Sequence, residues 1–368
     1  MTEIRIKDIC AAIEAFAPAA YQESYDNSGL LVGNPNDPID AALITLDVTE
    51  EVIDEAIRLK CGLIISHHPF IFGGMKRFNG KNVTERCVIK AIRNQIAVYA
   101  AHTNIDSVAG GVSGRMCDKL GLTNRSILSP LQNHLKKLVT FVPLAQAEQV
   151  RQALFQSGAG VIGNYDQCSY NLEGSGTFRG NDQTHPFVGS KGELHFEKEI
   201  RIETIFPKHI QNNVIHALLE SHPYEEVAYD IYPLDNEFPT VGMGMIGELP
   251  EPVEEVEFLQ KVKQAFECQV IRYTKPLKHP VKKVALCGGA GSSLLGTAIA
   301  SGADVFITGD FKYHQFFDAE DRIMIADIGH FESEQFTKEV FSEILTKKFP
   351  KFALHLSGIK TNPVNYLI

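Results

Sequence analysis

The sequence has no apolar stretch as long as the ~20 residues that a membrane-spanning helix needs. Residues 1–12 also lack the apolar centre of a signal peptide. These two absences argue against membrane insertion and export. We therefore expect a cytoplasmic protein without a membrane partner.

Long basic runs are also missing. The chain has 35 Lys and Arg against 45 Asp and Glu, which gives a formal net charge of −10. An acidic chain without a basic run is poorly suited to neutralising a phosphate backbone. Nucleic acid is therefore not an expected partner.

The seven cysteines are scattered along the chain, and none forms a C-x-x-C pair. This spacing excludes zinc ribbons and dithiol redox chemistry of the usual kind. We interpret the cysteines as reduced residues that pack in the interior.

With 368 residues, the chain is longer than one hydrophobic core usually organises, and ~150 residues per domain predicts two to three domains. Apolar runs alternate with helical spacing in the first third of the chain. The pattern predicts strands at 41–46, 62–65 and 96–101 and helices at 49–60 and 83–94. Parallel strands joined by crossover helices are the natural interpretation.

A second α/β pattern occupies the C-terminal part, with strands predicted at 283–287, 303–308 and 322–326 and a long helix from about 332 to 348. Between the two lies a segment whose pieces follow a β-α-β-β-α-β order. We predict an α/β protein in which two α/β domains, 1–132 and 237–368, share a cleft. A ferredoxin-like α+β insertion at 133–236 interrupts them.

Three motifs place metal-ligand side chains at predicted strand ends, where open α/β sheets form their ligand crevices. SHHP contributes His67 and His68, HTNID contributes Asp106, and GHFESE contributes His330 and Glu334. His330 and Glu334 are four residues apart and share one helical face. His67 and His68 are adjacent, so in extended backbone their side chains point to opposite sides unless the chain turns.

Each motif also has an ordinary structural explanation. A histidine is often a packing imidazole, Asp106 fits a helix cap or an Asx turn, and an early glutamate interacts favourably with a helix dipole. Together, however, three imidazoles and two carboxylates suit a pair of divalent ions and hydrolytic chemistry. This donor set favours zinc, iron or manganese over calcium.

Other motifs carry weaker signals. The glycine-rich turn 287–293 fits a tight turn better than a phosphate cradle. Asp310 or His314 could orient a ligand imidazole. Residues 25–29 (YDNSG) form either a plain turn or part of a cleft wall.

Five ordered motifs resemble the NGG-one-interacting-factor-three family, whose members are often named GTP cyclohydrolase 1 type 2 homologs. The motifs are YDNSGLLVG, SHHP, HTNID, TGDFKYH and GHFESE. The resemblance implies two divalent ions per subunit, zinc first and iron or manganese as alternatives, on His67, His68, Asp106, His330 and Glu334. It also implies a toroidal homohexamer, a trimer of dimers. Tyr25 stands where the family often has tryptophan, which this chain lacks.

The insertion contains HPYEEVAY from His222 to Tyr229, which is similar to a signature of CutA and PII-like trimeric domains. This likeness implies a trimer-forming cap, with packing as the simpler role for His222. We expect a metal-dependent hydrolase of a nucleotide-like or phosphorylated small molecule, with no catalytic residue assigned. The alternative is a non-enzymatic ring that stores, delivers or senses metal. Family kinship alone does not establish a substrate.

Overall fold

The computed structural model of the protein describes residues 3–367. The chain divides into two compact units. The first, which we call the two-sheet unit, combines Met1–Ser129 with Thr240–Ile368. The second, the insertion unit, is Pro130–Pro239. The expected division into three domains stays a prediction.

The helices and strands alternate along most of the chain. The helices are α1 (Ile6–Phe16), α2 (Glu50–Arg58), α3 (Val83–Arg93), α4 (Thr103–Asp106), α5 (Val112–Leu120), α6 (Ala147–Gln156), α7 (Gln211–Ser221), α8 (Glu255–Ala265), α9 (Leu295–Ala300), α10 (His330–Glu334) and α11 (Thr337–Lys348). The strands are β1 (Gly29–Val32), β2 (Ala41–Thr45), β3 (Leu63–Ser66), β4 (Ala97–Ala100), β5 (Thr123–Leu131), β6 (Leu135–Pro143), β7 (Tyr170–Phe178), β8 (His195–Pro207), β9 (Tyr229–Leu234), β10 (Phe238–Val253), β11 (Arg272–Tyr273), β12 (Val281–Leu286), β13 (Val305–Thr308), β14 (Met324–Asp327) and β15 (Ala353–Leu356).

The first sheet of the two-sheet unit has the strand order β1-β4-β3-β2-β15. Strands β15, β2, β3 and β4 run parallel, and β1 pairs antiparallel with β4. Every residue of β2, β3 and β4 is buried. Such continuous apolar runs are typical of parallel strands covered on both faces. Their carboxyl ends therefore lie together at one edge.

The second sheet has the order β11-β14-β13-β12-β10-β5, with β12, β13 and β14 parallel. Alternate residues of these strands enter two separate cores. On β13, Val305 and Ile307 pack into one core. Phe306 packs into the other, on the opposite face. This alternation follows from the two-residue period of a strand.

The insertion unit has a single antiparallel sheet of order β7-β8-β6-β9. Its elements follow as β6-α6-β7-β8-α7-β9, which is the predicted β-α-β-β-α-β order. Helices α6 and α7 contribute Val150, Leu154, Val214 and Leu218 to its core. The insertion unit thus has a hydrophobic core of its own.

The sequence-based expectations hold for most of the buried strands and crossover helices, and the overall α/β class is confirmed. The C-terminal part differs from them in two ways. The long helix predicted at 332–348 is divided into α10 and α11, because residues 335–336 separate two helical segments. In addition, β15 pairs with β2 of the first sheet, although it belongs to the segment predicted as a second domain.

Two further expectations concern the cysteines and membrane-spanning helices. Among residues 3–367, the seven cysteines are all free and six of them are buried, in agreement with their interpretation as packing residues. The helices in the same range include none that is both long and apolar enough to cross a membrane.

The second sheet should depend strongly on its central phenylalanine. Phe306 is fully buried, whereas the side chain of Phe78 is 53% exposed. Replacing Phe306 with alanine should lower the free energy of unfolding by ~3–5 kcal/mol because a cavity remains. Phe78→Ala, the matched control, should change it by ~0.5 kcal/mol or less. Urea denaturation followed by circular dichroism measures both, and equal losses would contradict this packing.

Candidate metal centre

His67 and His68 lie where the chain leaves the carboxyl end of β3. Both backbone N–H groups donate to the Leu46 carbonyl, at 3.1 and 2.9 Å, so the chain turns away from regular extended geometry. The turn brings the two imidazole centroids within 4.7 Å of each other. In a regular strand the two side chains would point to opposite faces of the sheet. Here both rings face one centre.

His67 is fully buried, and a backbone carbonyl fixes its orientation. Its Nδ1–H donates to Ala101 O at 3.0 Å, which leaves Nε2 as the free nitrogen. This Nε2 lies 3.7 Å from Asp106 Oδ1 and 3.6 Å from Glu334 Oε1. Asp106 reaches this position because the short helix α4 follows the end of β4. One imidazole and two carboxylates thus converge.

His330 and Glu334 occupy the two ends of α10. As their four-residue spacing predicts, they meet, with His330 Nε2 3.1 Å from Glu334 Oε2. His68 Nε2 approaches the same oxygen to 2.9 Å. Glu332 turns elsewhere and accepts a hydrogen bond from Asn362. Two imidazoles and the second oxygen of Glu334 therefore form another convergent group.

Two groups of ligand-type atoms share one carboxylate. One group is His67, Asp106 and Glu334, and the other is His68, His330 and Glu334. Within each group the candidate ligand atoms all lie within 4.8 Å of one another. The five side chains singled out in the sequence are thus brought together, and Glu334 lies between the two groups.

Two buried atoms at this centre, His67 Nε2 and Asp106 Oδ1, have no hydrogen-bond partner among residues 3–367. Buried polar atoms in native proteins are nearly always paired, because an unpaired one retains its full desolvation cost. Both are electron-pair donors of the types that zinc, iron and manganese accept. The residues present therefore fit divalent cations.

Two carboxylates orient the imidazoles of the second group. His68 Nδ1 donates to Asp47, and His330 Nδ1 donates to Asp310, each at 2.7 Å. Such pairing fixes the tautomer and directs Nε2 towards the centre. The sequence suggested that Asp310 or His314 orients an imidazole of the centre, and in the structure Asp310 contacts His330 in this way. His314 is exposed and its ring lies against Tyr313 and Phe317.

The pKa values show that the centre attracts positive charge. Burial by itself would lower the pKa of His68, but hydrogen bonds to Asp47 and Glu334 raise it to about 10. His330 behaves in the same way, since Asp310 and Glu334 outweigh burial and raise its pKa to about 11. Burial and the nearby Glu334 charge raise the pKa of Asp106. In the absence of a cation, protons are therefore held here.

The glycine-rich turn after β12 makes room for Glu334. A Cβ atom added to Gly289 would lie only 2.3 Å from Glu334 Oε1, and the backbone there has φ +61°. Two amides of the turn already have acceptors, since Gly289 N donates to Ser333 and Gly291 N to Thr308. These contacts favour a tight turn that supports the candidate metal centre over a phosphate cradle.

Sequence reasoning missed His102 and Asp26. His102 forms a third group with His67 and His68, and its ring centroid lies 5.3 Å from each of theirs. Its Nδ1 donates to Asp26 at 2.8 Å. Burial would raise the pKa of Asp26, but hydrogen bonds from His102 and Thr103 lower it well below its ordinary value. The position of His102 at a predicted strand end was an available signal.

A cavity of about 1030 Å³, which we call the metal-side cavity, adjoins these imidazoles. His68, His102 and His330 line one part of it, and Phe72, Arg272 and Tyr366 line others. Its size is in the range of small-molecule sites.

Comparison with known proteins identifies the same family that the five sequence motifs resemble. The family model described as Duf34/NIF3 (NGG1p interacting factor 3) matches residues 4–363. A protein of Halalkalibacterium halodurans named GTP cyclohydrolase 1 type 2 homolog is 42% identical over 96% of each chain. One of the same name from Bacillus subtilis is 40% identical over 98% of each.

A solved structure of a NIF3-related protein is also similar to this chain. The crystal structure of a Bacillus cereus protein related to NIF3 superposes with a TM-score of 0.86 at 39% identity and covers 100% of both chains. Similarity of this extent in both sequence and structure shows common descent. The chain therefore belongs to the Duf34/NIF3 family.

Proposed function

We propose that the protein binds two divalent metal ions and uses them to hydrolyse a nucleotide-like or otherwise phosphorylated small molecule. The observation that carries this proposal is the pair of ligand groups sharing Glu334 beside the metal-side cavity. A catalytic metal must be reachable by substrate, whereas a structural metal is closed off by its ligands.

In this proposal, His67 and Asp106 would hold one ion and His68 and His330 would hold the other. Glu334, which belongs to both groups, would contribute to both sites. Zinc suits a set of three imidazoles and two carboxylates, with iron and manganese as alternatives.

When bound, a pair of divalent ions would supply an activated water for hydrolysis. The chain's own contribution is to orient the ligands and to move protons. His102 is suited to proton transfer, because Asp26 fixes its Nδ1 and leaves Nε2 as the nitrogen that exchanges a proton.

The substrate class is supported by the lining of the metal-side cavity and by the relatives. Phe72 and Tyr366 offer aromatic surface for a planar base, and Arg272 offers a cation for a phosphate. Arg272 is anchored by Asp327 and by the Phe311 carbonyl, yet its side chain is 54% exposed. The name GTP cyclohydrolase 1 type 2 homolog, carried by the relatives, points in the same direction.

Two finer proposals follow from family membership. We propose that the chain assembles into a homohexamer, a trimer of dimers. We also propose that the insertion unit is a ferredoxin-like domain of the CutA and PII-like type. The antiparallel order β7-β8-β6-β9 and the β-α-β-β-α-β succession support the second of these.

Hydrolysis is tested with purified protein loaded separately with Zn²⁺, Mn²⁺ or Fe²⁺ and incubated with nucleotides and other phosphorylated metabolites. Mass spectrometry should detect turnover that His68→Ala abolishes. His216→Ala, which removes an imidazole 72% exposed in the insertion unit, should retain it. Absence of turnover in a protein that carries both ions would refute hydrolysis and favour metal storage or sensing.

Metal stoichiometry should distinguish the two ligand groups. Asp106→Asn should lower metal content from about two ions per chain to about one, and Glu334→Gln should remove both, because only Glu334 belongs to both groups. Melting temperatures should fall in parallel by linkage. Mass spectrometry of the native protein measures the content. Asp37→Asn and Glu51→Gln, at exposed positions, are the matched controls. Two ions retained in Asp106→Asn would exclude that residue as a ligand.

Metal affinity should rise with pH. Hydrogen bonds to carboxylates raise the pKa values of His68 and His330 to about 10 and about 11, so protons compete with a cation for these imidazoles at neutral pH. Calorimetry in buffers of different ionisation enthalpy should therefore show net proton release on metal binding. Asp310→Asn should release fewer protons and weaken binding roughly 10- to 100-fold. Identical heats in all buffers would contradict this linkage.

A further inference from the structure

The insertion unit contains a cavity of about 690 Å³, which we call the insertion cavity. It lies between the β7–β8 hairpin and the segment from Tyr224 to Ala228. Its aromatic residues form a continuous group, with the Tyr224 ring centroid 5.9 Å from that of Phe178 and 6.4 Å from that of Phe187. The volume and the aromatic walls are those of a small-molecule site.

The insertion cavity also contains a buried carboxylate. Glu199, on β8, is only 7% exposed and lines this cavity. Its Oε1 accepts a hydrogen bond from the Tyr224 hydroxyl at 2.8 Å. The Tyr224 hydroxyl is a neutral donor, so a positive ligand group with N–H donors would stabilise this largely buried carboxylate further.

Gly176 makes space for this carboxylate. A Cβ atom added to Gly176 would lie 2.2 Å from Glu199 Oε2. Gly176 is itself part of the wall of the insertion cavity. A larger residue at position 176 would therefore displace the carboxylate from its place in the wall.

The remaining charges favour a cation. Besides Glu199, three carboxylates line the insertion cavity, at Glu173, Glu225 and Glu226. Two arginines oppose them, and Arg201 is already paired with Glu203 at 2.8 Å. Acidic groups therefore outnumber basic groups around the aromatic walls. An anionic ligand would be repelled, and an organic cation would be attracted.

We propose that the insertion cavity binds a small organic cation with a planar head group bearing N–H donors, such as an amidinium or guanidinium. The head group docks on Glu199 Oε2, and the apolar body packs against Phe178 and Tyr224. A cation near an aromatic face gains further attraction from the ring quadrupole. This proposal does not depend on the proposed hydrolysis.

The test uses the full chain loaded with metal and three probes of one shape: benzamidine, benzamide and benzoate. Calorimetry should show that benzamidine binds at least ~10-fold more tightly than either other probe, because a charge-assisted hydrogen bond adds ~1.5–3 kcal/mol. Benzamidine that fails to bind, or that binds no better than benzamide, would overturn the proposal.

Variants locate the site. Glu199→Gln keeps an acceptor for Tyr224 and should weaken benzamidine binding at least ~10-fold with little effect on benzamide. Gly176→Ala should also weaken it by displacing the carboxylate. Glu193→Gln removes the same charge at an exposed position outside the lining and should bind as the wild type does. Circular dichroism and melting curves confirm folding. Unchanged benzamidine affinity in a folded Glu199→Gln protein would refute the assignment.

Discussion

The burial of Glu334 between imidazoles is the constraint on which the centre depends. This carboxylate is 2% exposed, and another buried carboxylate, Asp106, lies beside the same imidazole. Two such negative charges need compensating positive charge in a low-dielectric interior. The pKa values of His68 and His330 are raised because their protonated forms supply positive charge beside Glu334. The space left by Gly289 is a further adaptation to the same carboxylate.

The fold meets this constraint by bringing together the carboxyl edges of two sheets in one compact unit. His67, His68 and Asp106 come from the edge of the first sheet, and α10 follows β14 of the second. Strands supply rigid positions, and the short segments after them supply side chains of varied chemistry. The aspartates that hold His68 and His330 also follow strands, β2 and β13. The candidate ligands and their hydrogen-bond partners are therefore positioned by the same sheet edges.

The five ligand candidates could be recognised from the sequence because each lies next to a strong local signal. Buried parallel strands appear as uninterrupted apolar runs, and the four-residue spacing within α10 predicts convergence directly. The partners of the histidines were harder to recognise. The contact between Asp26 and His102 spans 76 residues, and that between Asp47 and His68 spans 21. Single-residue patterns do not specify such pairings. Strand β15 was missed because half-exposed edge residues carry no clear periodicity.

The long separation between the two halves of the centre also has a kinetic consequence. His68 and His330 are 262 residues apart. At a synthesis rate of ~5–20 residues per second, the first half waits roughly ten to fifty seconds for the second to be translated. During that interval a nascent chain carries only part of the proposed ligand set. Under the proposed function, metal loading would therefore be a late event, coupled to synthesis of the second half of the centre.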